Sequence, residues 1–433
     1  MRKSLFFAAL FINSLCYAQE KVFTYYPESP SIVKEEYYLM DGDSSAIDGP
    51  YKQYSLTGKV IVTGDFKKGK KNGLFTNFYE NGSIQRETTY IDNLRQGAIS
   101  VFDEQGNKIQ EATFLNDTLV GELKLFNAKG ILIGSSNFEN GKPEGPVKEF
   151  YQNGILKEEI EYASGKPNGY TRHYYTNGNL KLEAEYVGGL LDGSYRTFYT
   201  SGKLEMEALN ERGKRSGYIK YYYEDGQLRS LGTYEDGNLN GDYTAYHADG
   251  SIYKDFKYQN GYRIGKNIEY FDNGKPSYVA QFSNRGLDAK IKEYYEKGDI
   301  KAEKELLNDL PQGLWVLYDE KGKVTNKQNY QNGKLHGLSY SYEKGKLVEE
   351  KNYGFGIQQG VSKTYFSDGE PSTIENWKLD KLHGTYTKFH KNGQIEYEGE
   401  YIRNKRHGVW TFYDKKGEVT EKITYVNGIE KTE

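Results

Sequence analysis

From Gly49 onward the chain repeats itself every twenty-four residues, and this spacing of glycines constrains the fold more than any other feature. Opening glycines stand at Gly49, Gly73, Gly97, Gly121 and on to Gly408, with Ala289 filling the one gap, so that sixteen units can be laid out in rows. With the opening residue counted as position zero, a second glycine follows at position nine, from Gly58 to Gly417, brought forward by one deleted residue at Gly345. Every unit has an aromatic at position five, and fourteen of sixteen have one at position seventeen, Asn210 and Leu306 being the exceptions. Between the glycines lie segments rich in Tyr, Phe, Ile, Val and Thr without helical spacing, which read as strands in stacked supersecondary units.

Two reversals per unit follow from the turn residues. Asn or Asp precedes the second glycine in Asn81, Asn153, Asn177, Asp225 and Asn273, the pair that a two-residue type I′ turn favours because both residues take positive φ. At position twenty, fifteen of sixteen units carry Gly, Asn or Asp, residues that tolerate the left-handed region, and Arg285 alone deviates. A turn at positions eight and nine makes facing positions sum to seventeen. Position three then meets fourteen, pairing Lys148 with Glu159, Arg172 with Glu183 and Lys292 with Glu303. Position six meets eleven, pairing Tyr151 with Leu156 and Tyr175 with Leu180, and the opening glycine meets seventeen, so that Tyr186 is expected to fold its ring over Gly169. Two-residue turns at both ends leave the strands unequal by two, so a bulge or a longer second connection is expected. One unit cannot bury enough surface to fold alone; stacking closes the gap. The fold class read from the sequence is all-β, an elongated antiparallel β-hairpin solenoid or meander of about sixteen units.

The chain divides into three parts. Residues 1–18 have the pattern of a signal peptide: Arg2 and Lys3, a short apolar run from Ser4 to Leu15, and Ala18 before the expected cleavage site. Residues 19–48 lack the period and are expected to cap the first edge, with Glu36-Tyr37-Tyr38-Leu39 as a strand. Residues 49–433 are the array, with a kink or change of curvature expected near 265–312, where Asn267, Pro276, Arg285 and Pro311 break the pattern. An exported protein, periplasmic or extracellular, is the expectation. No later stretch approaches the length of a transmembrane helix. Cleavage removes Cys16, the only cysteine, and with it thiol chemistry.

The run Tyr397-Glu-Gly-Glu-Tyr401-Ile-Arg-Asn404-Lys-Arg-His-Gly408-Val-Trp410-Thr-Phe-Tyr413 resembles the MORN repeat in its bacterial variant, and residues 186–199 and 330–342 fit it more loosely. The resemblance implies a meander of hairpins and contact with protein or lipid headgroups, and many bacterial members are catalogued as antitoxin-like. The chain departs from the eukaryotic pattern by placing Tyr195, Trp315 and Trp410 where a second small residue is usual.

Composition and motifs argue against chemistry. With 58 Lys+Arg against 61 Asp+Glu, the near-zero charge balance argues against a nucleic-acid binder. His336, His383 and His407 each precede an opening glycine, a repeat position; neighbouring units stand two strands apart, too far to share a metal readily. Doublets such as Glu158-Glu159 and Glu349-Glu350 point to opposite faces of a strand and cannot form an acid/base pair. No catalytic, metal or cofactor site is expected.

Two features suit binding. Tyr151, Tyr175, Tyr199, Tyr223, His247, Phe271 and Tyr295 occupy position six in seven successive units, a stripe of rings able to stack on sugars or dock a partner, or else to pack on Leu156, Leu180 and their equivalents. Lys67, Lys68, Lys70 and Lys71 crowd one turn, which suits an anionic lipid or glycan, or is a solvated loop. The function read from the sequence is a non-enzymatic exported scaffold for another macromolecule, a protein first. An envelope glycan-binding module and an antitoxin or immunity-type partner are the alternatives.

Overall fold

The computed structural model describes residues 20–40 and 43–431. These residues form thirty-nine strands paired antiparallel with their chain neighbours, and one short 3-10 turn at Asn284–Gly286. The expected signal sequence lies outside the described residues. Two compact units result, one formed by residues up to 204 with 210–213, the other by 205–209 and 214 onward.

In the first unit, strand Lys142–Phe150 pairs with Leu156–Ala163 so that Gly145 faces Tyr162, Lys148 faces Glu159 and Glu149 faces Glu158. The sum-of-seventeen register holds there, but it fails next to the first turn. Tyr151 N–H donates to Ile155 O at 2.8 Å and Gly154 N–H donates to Tyr151 O at 2.8 Å, which encloses a three-residue loop. Only Gly154 in that loop is left-handed, with φ 84°. The expected type I′ turn is therefore absent; the loop is the three-residue kind in which a bulge follows the turn. Leu156 faces Phe150, not Tyr151, and Lys157 is left unpaired. The extra loop residue and the bulge compensate each other, which is why positions three and fourteen still meet.

The type I′ turn sits at the second reversal. Ala163 faces Lys166 across Ser164 and Gly165, whose φ values are 52° and 79°. Each such turn is tied to the preceding one, as when Gly165 N–H donates to Pro143 O at 3.0 Å. The register then shifts between Ile160–Thr171 and Tyr162–Pro167, so that Glu161 alone faces residues 168–170. This bulge is the two-residue correction expected from the sequence, and its apex is the opening glycine, Gly169, at φ 113°. The place a side chain at Gly169 would take is filled by Glu161, not by the ring of Tyr186.

The irregular units of the second body obey the same arithmetic. At the one-residue deletion, Glu343 faces Lys346 across Lys344 and Gly345, so the missing residue comes out of the loop and the register is kept. Between Ser283 and Asp288 a four-residue connection runs directly into an unbulged pairing of Phe282 with Ala289. In the first unit, Ser29–Met40 contains the expected strand at 36–39; it pairs with Glu20–Tyr26 on one side and Gly49–Tyr54 on the other.

The core lies on one face. In both units the buried apolar residues, among them Phe75, Ile99, Ala184, Ile219, Ala280 and Trp410, all occupy positions zero, two, four, thirteen, fifteen or seventeen. Positions two and fifteen alternate along successive strands, as in Thr171, Ala184 and Tyr195, and large residues lie over small ones. The ring of Phe75 fills the space above Gly64, and that of Trp410 fills the space above Gly399. Aromatic cover of a strand glycine thus occurs at position fifteen, not at the opening glycine.

Candidate binding surface

The opposite face carries charge. In the first unit Lys148, Glu159, Arg172, Glu183 and Arg196 form a ladder with separations of 3.1, 4.0, 2.8 and 3.5 Å between successive members. The hydrogen bond to Glu183 raises the Arg172 pKa further. In the second unit Lys292 meets Glu303 at 2.7 Å, and Tyr318 OH donates to the same carboxylate at 2.9 Å. These pairs satisfy themselves and leave little for a ligand.

The position-six stripe occupies the first-turn edge. The hydroxyls of Tyr151, Tyr175, Tyr223 and Tyr295 donate at 2.7–2.8 Å to the carbonyls of Tyr174, Phe198, Tyr246 and Tyr318, each at the end of the first strand of the following repeat. Tyr199 and Phe271 close their loops through the same backbone bonds. All of these rings are half-buried. Lys181 lies over the Tyr175 ring at 5.7 Å and Lys301 over Tyr295 at 5.9 Å. His247 departs from the tyrosine pattern, with Nδ1 3.0 Å from Asp272, while His390 places Nε2 3.2 Å from Tyr413 O. The asparagines of these loops are ties as well: Asn177 Oδ1 accepts from Asn179 N–H and its amide donates to Thr200 O, both at 3.0 Å.

His336 caps a turn, with Nδ1 accepting from Phe355 N–H at 3.4 Å. Glu144, Asn168 and Gln312 do the same one residue before their opening glycines. Glu158 and Glu159 diverge as expected, the first to His173 at 3.2 Å and the second to Lys148. No group of metal-ligating side chains occurs among the described residues. In the first unit Lys68 takes the left-handed turn position at φ 51°, and Lys71 folds over Phe75 at 5.0 Å. In the second, a depression of about 400 Å³ is lined by Lys266, Val279, Gln281, Lys290, Lys292 and Leu314.

What the sequence reading missed is the second-turn edge. Fourteen of the twenty-eight large apolar side chains that stand exposed fall at positions eighteen to twenty-one, a sixth of the repeat. In the first unit Ile91 and Leu94, and Val187 and Leu190, face each other across their turns. Val187 and Leu190 are each 56% exposed. Cross-strand pairing accounts for their presence in the hairpin but not for the water they leave in contact with it. The signal was legible: positions eighteen and twenty-one are the outward-pointing ends of the two strands, and polar residues would pair there equally well.

Comparison with known proteins bears on the repeat and not on a partner. The sequence pattern described as MORN repeat variant matches residues 71–92, 143–164, 167–187, 191–209, 215–236, 311–332, 382–403 and 406–427. No curated protein matches the chain. Among solved structures, a complex described as TcdB2-TccC3-Cdc42 is 11% identical over 94% of this chain and 27% of that one, with a TM-score of 0.13. The Photorhabdus luminescens Tc holotoxin pore with a TccC3 mutation is 10% identical over 90% and 24%, with a TM-score of 0.15. The chain spans about a quarter of the length of these chains, and at such scores neither likeness bears on function. With eight units matched between residues 71 and 427, on a sheet of glycine-punctuated hairpins, the chain belongs to the MORN repeat variant family.

Proposed function

We propose that this repeat protein is an exported, non-enzymatic scaffold that binds another protein along its second-turn edge. The family and the hairpin architecture fit a repeat scaffold or binding module. The observation that carries the finer reading is the crowding of exposed apolar side chains at positions eighteen to twenty-one, where polar residues would serve cross-strand pairing equally well. Export rests on the first eighteen residues, and the non-enzymatic reading on the sequence, where the histidines before opening glycines and the carboxylate doublets fall at repeat positions that do not bring them together. An immunity-type partner that covers its target is one form of this reading.

The test uses a photo-crosslinker at Leu190 in the full chain exposed to envelope extract, followed by titration of the purified captured protein. Saturable binding that weakens at least tenfold in the Val187→Thr, Leu190→Thr double variant, with unchanged thermal stability, is expected. Retention by peptidoglycan in sedimentation, lost on Tyr175→Ala, would favour the glycan reading instead.

A further inference from the structure

Two adjacent second turns depart from every other. Position nineteen, the first left-handed residue of the type I′ turn, is elsewhere Asn, Asp, Ser, Lys, Arg or Gly; in the second unit it is Phe355 at φ 51° and then Leu379 at φ 53°. Bulky apolar residues are poor choices for positive φ, and neither gains burial: Phe355 is 53% and Leu379 65% exposed. The hairpin does not explain them, since position nineteen has no cross-strand partner. The ring of Phe355 lies 4.6 Å from that of His336, tilted by 51°. Ile357 stands exposed beside Phe355 on the same turn.

The surroundings are basic. The four turns at 331–334, 354–357, 378–381 and 402–405 carry Lys334, Lys378, Lys381, Arg403 and Lys405 against the single carboxylate of Asp380, a net charge of +4. That carboxylate is occupied, accepting from Gln358 N–H at 2.7 Å. All five cations are exposed, and none forms an ion pair among the described residues. Strained apolar knobs inside a field of unpaired positive charge describe one kind of occupant: a segment that supplies apolar side chains between carboxylates.

We infer that the turn edge around Phe355 and Leu379 is a docking site for an acidic, apolar-bearing segment of a partner protein. The inference rests on the proposed protein-binding role and narrows it to these turns and to this chemistry. The outward residues insert into the partner, while the lysines steer and hold its carboxylates, so affinity falls with salt.

The test titrates the full chain against a labelled fourteen-residue peptide alternating Glu with Leu and Phe, the same peptide with Lys for Glu, and phosphatidylglycerol vesicles. The acidic peptide is expected to bind more tightly than the basic one. Its Kd should rise at least tenfold in the Phe355→Asn, Leu379→Asn double variant and in the Lys378→Glu, Lys381→Glu double variant. Asn tolerates the left-handed region, so the first double variant keeps its thermal midpoint and the loss is not one of folding. An acidic-peptide Kd unmoved by the loss of Phe355 and Leu379, or vesicle binding that depends on them in place of peptide binding, overturns the inference. Peptide binding that depends on Phe355 and Leu379, in a chain whose Leu190 crosslinker captures no partner saturably, would instead sink only the wider reading.

Discussion

Phe282 faces Ala289 in direct register, with no bulge between the pair and the connection that joins their strands. Elsewhere a two-residue turn is followed by a two-residue bulge whose apex is a left-handed glycine; here the two residues have moved into the loop, which runs through Asn284, Arg285, Gly286 and Leu287. With no positive φ to accommodate, Ala289 replaces glycine, and its methyl group joins Ala280 and Phe282 in the buried cluster. Two irregularities of the sequence, Arg285 and Ala289, are thus one structural event.

Substitution at the two kinds of opening residue should therefore have opposite logic. Ala289→Gly removes a buried methyl group and loosens the strand, and about 1 kcal/mol of stability should be lost. Gly169→Ala forces a side chain into positive φ and against Glu161, and should cost roughly 1–3 kcal/mol. Urea unfolding of each variant checks both values, and an Ala289→Gly variant as stable as wild type would contradict the account.

The pairing of large over small residues on the core face predicts a non-additive effect. Trp410 is 0% exposed, lies above Gly399, and has Tyr401 edge-on at 5.1 Å. Gly399→Ala should destabilise by about 1–3 kcal/mol by overpacking. Trp410→Ala should cost about 3–5 kcal/mol. In the double variant the added methyl no longer meets a ring, so its cost should largely vanish in a double-mutant cycle.

The position-six hydroxyls are ties between successive repeats. Tyr223→Phe removes the bond to Tyr246 O and should lose about 1 kcal/mol. Faster hydrogen exchange of the loop amides at 247–251 is the local signature to look for. Unchanged exchange would mean that the ring alone carries the contact.

The first unit should respond to pH at both ends through Glu36. Hydrogen bonds from Lys21 and then Tyr54 hold the Glu36 pKa below the ordinary carboxylate value. Its contribution is therefore present above the unfolded-state pKa and is lost as pH falls through the lower folded value. The same bond pushes the Tyr54 hydroxyl up to about 12. That contribution is complete below the unfolded tyrosine pKa and is lost as pH rises through about 12. Glu36→Gln should flatten the acid limb of the stability curve and Tyr54→Phe the alkaline limb, read by near-ultraviolet circular dichroism.

Much of this was legible in the sequence, and the failures are instructive. The pairs Lys148–Glu159 and Arg172–Glu183 follow from glycine spacing alone, because a three-residue loop with a bulge gives the same distant register as a two-residue turn. Near the turn that equivalence ends, and Tyr151 does not meet Leu156. Asn177 reads as a turn former, yet its amide serves the next repeat, a bond visible only once the hairpins are stacked. The N-terminal hairpin has no glycine period but is built like a repeat: Tyr26 OH donates to Tyr54 O at 2.7 Å, the tie that Tyr151 makes elsewhere.

By itself the sequence determined the number of reversals, the all-β class and which residues share a strand, since positive φ restricts each reversal to a few residue types and the period repeats that restriction sixteen times. The tertiary structure alone decided where the type I′ turn falls, which face holds the core, and that Phe355 and Leu379 point to solvent. Those outcomes depend on bonds and contacts between neighbouring hairpins, which exist only after the hairpins have packed.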